Sequence, residues 1–186
     1  MNQALLKLNH HFLIPTPQLQ DDRFVDTLVY ICRHTKEGAW GFVVNQPLPN
    51  SVGALLADLD LPVSQQMMNT PAVDGGPVRI EAGFVLHTGQ PDFKSSFVIA
   101  ENVCLTTSKD ILQHLAFGEL SHYLLCMGHC SWSKGQLEAE VCAGDWYICP
   151  ADLPTLFLTP FADRLAACYA KMGIKPERLA ANLGYA

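Results

Sequence analysis

The stretch Gly128–Glu140, GHCSWSKGQLEAE, gathers the residues of this chain best suited to chemistry: an imidazole (His129), a thiol (Cys130), an ammonium (Lys134) and two carboxylates (Glu138, Glu140). Gly128, His129 and Cys130 partly follow a Gly-x-nucleophile-x-Gly turn, and a helix start plus a neighbouring imidazole would favour a thiolate. Trp132 occupies the place of the final glycine, so a buried, inert thiol is the favoured reading of Cys130. The order of a phosphate loop is absent, because Lys134 precedes Gly135. A helix N-terminus with small residues can nonetheless hold an anion through free N–H groups, with Lys134 assisting. Cys126, His129 and Cys130 invite a zinc reading, but no Cys-x-x-Cys pair and no fourth ligand accompany them. Glu138 and Glu140 stand two apart on a helix and do not face each other, which removes a carboxylate pair for acid/base work.

A second candidate lies at Asp74-Gly75-Gly76-Pro77. Paired glycines allow positive φ and expose backbone N–H groups, with Arg79 just beyond. A tight turn with a surface arginine is the simpler reading, and an anion-binding corner the sharper one. Cys32 and His34 share a strand face, where a satisfied histidine at a strand end is the commoner outcome. His10 and His11, adjacent in a strand, point to opposite faces and cannot share one metal. The expected ligand-binding set is His34, Asn45, Gly75, Gly76, Arg79, Lys134, Gly135 and Gln136, with no catalytic residue, metal or cofactor assigned. The rival is an enzyme, either a thiol hydrolase using Cys130 with His129 or a hydrolase around His34, Asn45 and His87.

The apolar pattern predicts the elements that must hold these residues. HHFLIPTP reads as a strand closed by prolines, and LVYIC and GAWGFVV as a hairpin ended by Asn45–Pro49. Gly38 and Gly41 mark backbone that bends or approaches a neighbour closely. Ser51 caps a helix through Leu59, and LPVSQQMMNTP reads as loop. GFVLHTG, SSFVIA and VCLTT are strands of an antiparallel portion of sheet. Thr107 with Asp110 resembles a capping box opening the helix that closes at Gly118. HYLLCMG is a buried strand entering the Gly128 loop, and Ser133 with Gln136 has capping-box spacing before the helix GQLEAEVCAG. A strand at Trp146–Cys149, a short segment LPTLFLTP and a helix from Pro160 to Gly173, with Thr159 as N-cap, complete the series.

The chain has 186 residues, 49% of them hydrophobic and 16% charged. That is one domain, 1–186, with a real core, and a surface lean in charge that favours association, including homo-oligomers. The net charge of -6, with 12 scattered Lys and Arg, opposes direct capture of nucleic acid. No apolar run approaches the ~18 to 20 residues of a membrane span. The first residues lack a signal-peptide pattern, so a cytoplasmic address is expected, with the seven cysteines reduced.

Taken in order, HHFLIP, VYICRH, GAWGFVVNQP, GGPV, FVLH, TTSKDIL, GHCSWSKGQLEAE and Trp146, closing with LGYA, resemble the YqgE/AlgH family of bacterial proteins. The resemblance spans nearly the whole chain. It implies an α+β (mixed α/β) fold with a bifurcated mixed sheet forming a partial barrel and flanking helices. It implies no particular reaction. Some members carry the label of transcriptional regulator, which fits indirect regulation better than DNA contact, since no helix-turn-helix pattern is present. Carried over by position, the family pattern emphasises His34, Gly38, Gly41, Asn45, Pro47, Gly75, Gly76, Pro77, His87, Ser108, Asp110, Gly128, Trp132, Gly135, Gln136, Leu137 and Glu138. Where the family tends to have Tyr-Ala-Gly-Trp, this chain has His129, Cys130, Ser131 and Trp132, which sets Cys130 outside the shared pattern. The function expected is non-catalytic binding of a small anionic ligand or a protein partner.

Overall fold

The computed structural model describes residues 6–175, so the closing LGYA lies outside the described residues. The chain divides into two compact units, one made of residues up to Gly41 and from Ser131 on, the other of Phe42–Cys130. Both changes of unit fall inside strands rather than in linkers: β3 (Gly38–Val43) and β9 (Tyr123–Ser133) are continuous through them.

In the first unit, β1 (His11–Pro15) lies between β2 (Val29–Thr35) and β10 (Trp146–Pro150), antiparallel to both. Phe12, Leu13 and Ile14 are fully buried, which explains an apolar run without alternation. The close approach expected at Gly41 is present, because a Cβ there would meet the carbonyl oxygen of Tyr30. α4 (Gln136–Ala143) and α5 (Phe161–Lys171) complete this unit, with a wide π-type turn at Pro154–Leu158 in place of the plain segment expected there. The start of α5 also differs from expectation. Pro160 is the capping residue, and the Thr159 hydroxyl donates instead to the Pro154 carbonyl at 3.0 Å.

In the second unit, β6 (Val78–His87) pairs antiparallel with β9 on one side and with β8 (Val103–Thr106) on the other, and β7 (Ser96–Ala100) pairs with β8. β4 (Pro47–Ser51) pairs with β5 (Pro71–Asp74), which runs parallel to β9. The sheet is thus mixed, and β9 takes β6 and β5 as separate partners. α1 (Val52–Ala57) and α3 (Ile111–Ala116) pack Leu56, Ile111 and Leu115 with Val85 and Leu125 in one apolar cluster. The fold is α+β, as expected.

Four local expectations need correction. Pro47–Ser51 is a short strand rather than a strand end, because β5 supplies a partner that no local pattern announces. Residues 65–69 form α2 (Gln65–Asn69), capped when the Ser64 hydroxyl accepts from the Met67 N–H at 3.2 Å; it is too short to display a helical period. Thr107 caps nothing. Asp110 instead ties a neighbouring loop, accepting from the Ser108 hydroxyl and from the Lys94 N–H. Finally, GHCSWS is strand and not loop, since β9 continues to Ser133 and leaves only Lys134 and Gly135 to turn the chain.

Candidate functional site

In the first unit, Gly135 caps the start of α4, with a φ of 75° in the left-handed region. Gln136 supplies half of the expected capping box, its side-chain oxygen accepting from the Ser133 N–H at 3.0 Å. The amide of Gln136 donates to Glu140 Oε1 at 2.9 Å, and Glu140 Oε2 accepts from both indoles, Trp132 at 2.9 Å and Trp146 at 2.8 Å. Glu140 is therefore a structural clamp between β9, α4 and β10. Glu138 goes another way. Its Oε1 lies 3.1 Å from His34 Nε2, close but out of line for a hydrogen bond, so that Nε2 and Glu138 Oε2 stay without an aligned partner. His34 Nδ1 accepts from the Leu8 N–H at 3.3 Å, which places the ring proton of the neutral form on Nε2, facing the carboxylate. Lys134 and Gly135 are exposed.

In the second unit the glycine corner is a buried backbone crossing. The Gly75 N–H donates to the Met127 carbonyl at 2.8 Å and the Gly76 N–H to Asp74 Oδ1 at 3.3 Å. A Cβ at Gly75 would run into the Gly128 carbonyl, and one at Gly76 would come within 2.7 Å of Cys130 Sγ. The N–H groups expected to stand free are thus taken up inside the fold, because the turn is pressed against β9 instead of facing solvent.

Cys130 sits in that crossing, 1% exposed, with its thiol donating to the Gly75 carbonyl at 3.6 Å. His129 Nδ1 faces the carbonyl of Cys130, at 3.3 Å, and its ring stands edge-on to Phe84. Burial holds the His129 pKa below the usual imidazole value, and the nearby Arg79 charge acts in the same direction. Among the described residues, no group of three His, Cys, Asp or Glu side chains is placed to hold a metal ion.

The second unit also contains a cleft of about 470 Å³. Its apolar lining comes from Leu55, Leu56 and Leu59 after the Ser51 cap, from Ile111 and Leu112 of α3, and from Val85, Leu125 and Met127 of the sheet. Arg79, Glu81, Asp58 and Lys109 supply the charge, and Thr106 a buried hydroxyl. Arg79 lies where β6 leaves its register with β9, between the pairs Val78–His129 and Gly83–Met127. Its φ of 50° is a backbone state that non-glycine residues adopt rarely and that recurs at functional positions. Among the described residues, neither Arg79 nor Lys109 makes an ion pair.

Of the expected ligand set, His34, Lys134, Gly135 and Gln136 belong to the first unit, and Asn45, Gly75, Gly76 and Arg79 to the second. Asn45 is buried, and of the eight only Arg79 lines the cleft. Sequence reasoning missed Lys109, Thr106 and the leucines. Leu55 on α1 and Leu59 just beyond its end, four apart, were the available signal for an unfilled apolar stripe.

Fold and cleft together define an α+β protein with a mixed sheet and a leucine-lined cleft. The chain belongs to the AlgH-like family, whose model matches residues 12–177. It is 53% identical over 182 residues to a UPF0301 protein of Psychrobacter cryohalolentis, covering 96% of this chain and 97% of that protein. A UPF0301 protein of Hahella chejuensis is 40% identical, with 100% of both chains covered. The solution structure of the AlgH protein from Pseudomonas aeruginosa matches with a TM-score of 0.81 at 33% identity over 100% of both chains. Among the described residues no helix is long and apolar enough to cross a membrane.

Proposed function

We propose that this protein is a non-catalytic binding protein whose ligand is a small amphipathic anion held in the cleft of the second unit. The observation carrying this reading is Arg79, a cation held at positive φ beside an apolar lining and without an ion pair among the described residues. An acid head group would sit on Arg79 and Lys109, and an apolar body on Leu55, Leu59, Leu112 and Met127. Asp58 and Glu81 cancel the two positive charges across the lining as a whole. The cations therefore orient the head group, while burial of the apolar body supplies most of the affinity. Any regulatory role then runs through ligand occupancy instead of nucleic-acid contact, in keeping with the net charge of -6.

A second occupant, a protein segment with an acidic residue among apolar ones, is favoured by the exposure of Ile80 (67%) and Leu59 (49%), which carry apolar surface beyond a small ligand. Titration with octanoate, followed by amide NMR shifts, tests the ligand reading. Saturable shifts at cleft residues should appear, octanol should bind more weakly, and Arg79→Ala should weaken octanoate about tenfold, the scale of one charge-assisted hydrogen bond. Equal binding of octanol and octanoate, or no saturable shifts, overturns it.

A further inference from the structure

Among the hydroxyls lining the cleft, that of Thr106 is bonded to an imidazole. Thr106 lines the cleft, 1% exposed, with Oγ1 2.8 Å from His87 Nε2 and 2.7 Å from Ser96 Oγ. His87 Nδ1 lies 3.0 Å from the Thr88 carbonyl. A carbonyl only accepts, so the proton of the neutral ring is on Nδ1 and Nε2 must accept. The chain therefore has a direction: Ser96 donates to Thr106, and Thr106 donates to His87.

Protonating His87 reverses it. Nε2 becomes a donor, the Thr106 oxygen accepts from it while still accepting from Ser96, and the Thr106 hydrogen is left for an acceptor in the cleft, with a positive charge directly behind it. We propose that His87 is a proton switch for the anion cleft, taking up a proton as the anion binds so that Thr106 donates to the head group. This rests on the reading of that cleft as an anion site.

The surroundings suit a ring that is neutral when the cleft is empty and charges on demand. Its strand neighbours are Cys104 on β8 and Tyr123 on β9, both with pKa values raised by burial and hence uncharged near neutrality. Burial holds the His87 pKa below the usual imidazole value. On its other side His87 borders a second depression, of about 560 Å³, whose lining includes Asp92 and the His114–Glu119 pair. His122 lines the same depression.

The test uses 1-octanesulfonate, which stays ionised throughout the range, so any pH dependence belongs to the protein. Affinity measured calorimetrically should rise about three- to tenfold between roughly pH 7.5 and 5.5, within the roughly hundredfold that one coupled proton allows over that range. The His87 ring resonances should titrate at higher pH in the complex. Thr106→Val should flatten the dependence, and Thr106→Ser, which keeps the hydroxyl, should retain it. Binding that is independent of pH in the native chain overturns the switch and leaves the cleft reading standing; absence of binding at every pH overturns both. A slope that survives in Thr106→Val assigns the proton to another imidazole, His129 beside Arg79 or His114 and His122 of the second depression, and also overturns the proposal.

Discussion

Glu140 accepts from two indole N–H groups and one amide, so truncating it orphans three donors at once. We expect Glu140→Ala to lower stability by about 2 to 4 kcal/mol, on the scale of breaking several charge-assisted hydrogen bonds in a partly buried site. Urea denaturation would read this, together with a shift in tryptophan emission. Two glycines separate packing from local conformation. Gly76→Ala meets β9 backbone and the Cys130 thiol at a φ of 143°, whereas Gly135→Ala has a φ of 75° and nothing within 4 Å of the added carbon. The first should fail to fold or lose several kcal/mol, and the second should cost about 1 kcal/mol. The glycines were legible in the sequence as positions of special backbone. That one is a buried crossing and the other an exposed helix start was not, because the difference lies in a strand about fifty residues away, to which the Gly76 turn is pressed.

At the level of elements, the clearest revision is β9, which runs through Gly128 to Ser133. A cysteine in the interior of that strand has a buried thiol, whereas a nucleophile elbow presents its side chain at a turn. Thiol labelling separates the two. Among the described residues Cys142 is the one exposed cysteine, so a disulfide reagent at neutral pH should modify one thiol quickly and the rest only on unfolding. Rapid, stoichiometric labelling of Cys130 would restore the thiol-enzyme reading. Helix starts were readable in part. Ser51 caps α1 as its sequence suggests, accepting from the Ala54 N–H at 3.0 Å, and Ser51→Ala should cost about 1 kcal/mol. Asp110 was misassigned, since its partners Lys94 and Ser108 are joined by loop geometry rather than helical spacing.

For the whole molecule, three imidazoles, those of His10, His87 and His129, have pKa values lowered chiefly by burial. The unfolded chain takes up these protons near pH ~6.5, while the folded chain resists until lower pH. Below that value the unfolded state binds more protons, so stability should fall with acidification. Urea midpoints at about pH 7.5 and 5.5 would show it, and an unchanged midpoint would mean that these rings are solvated.

Local patterning was enough to establish an α+β chain, most of its strands and helices, and its family, because apolar periodicity, caps and turn residues act over a few positions and the family's motifs recur in order. It could not show which N–H groups stay free, where the carboxylates of Glu138 and Glu140 go, or that Arg79 borders a leucine-lined cleft. Those depend on contacts between residues far apart in sequence, such as Gly75 with Gly128 or Glu140 with Trp132 and Trp146. Such contacts arise when the strands find their register, and no local signal carries that information.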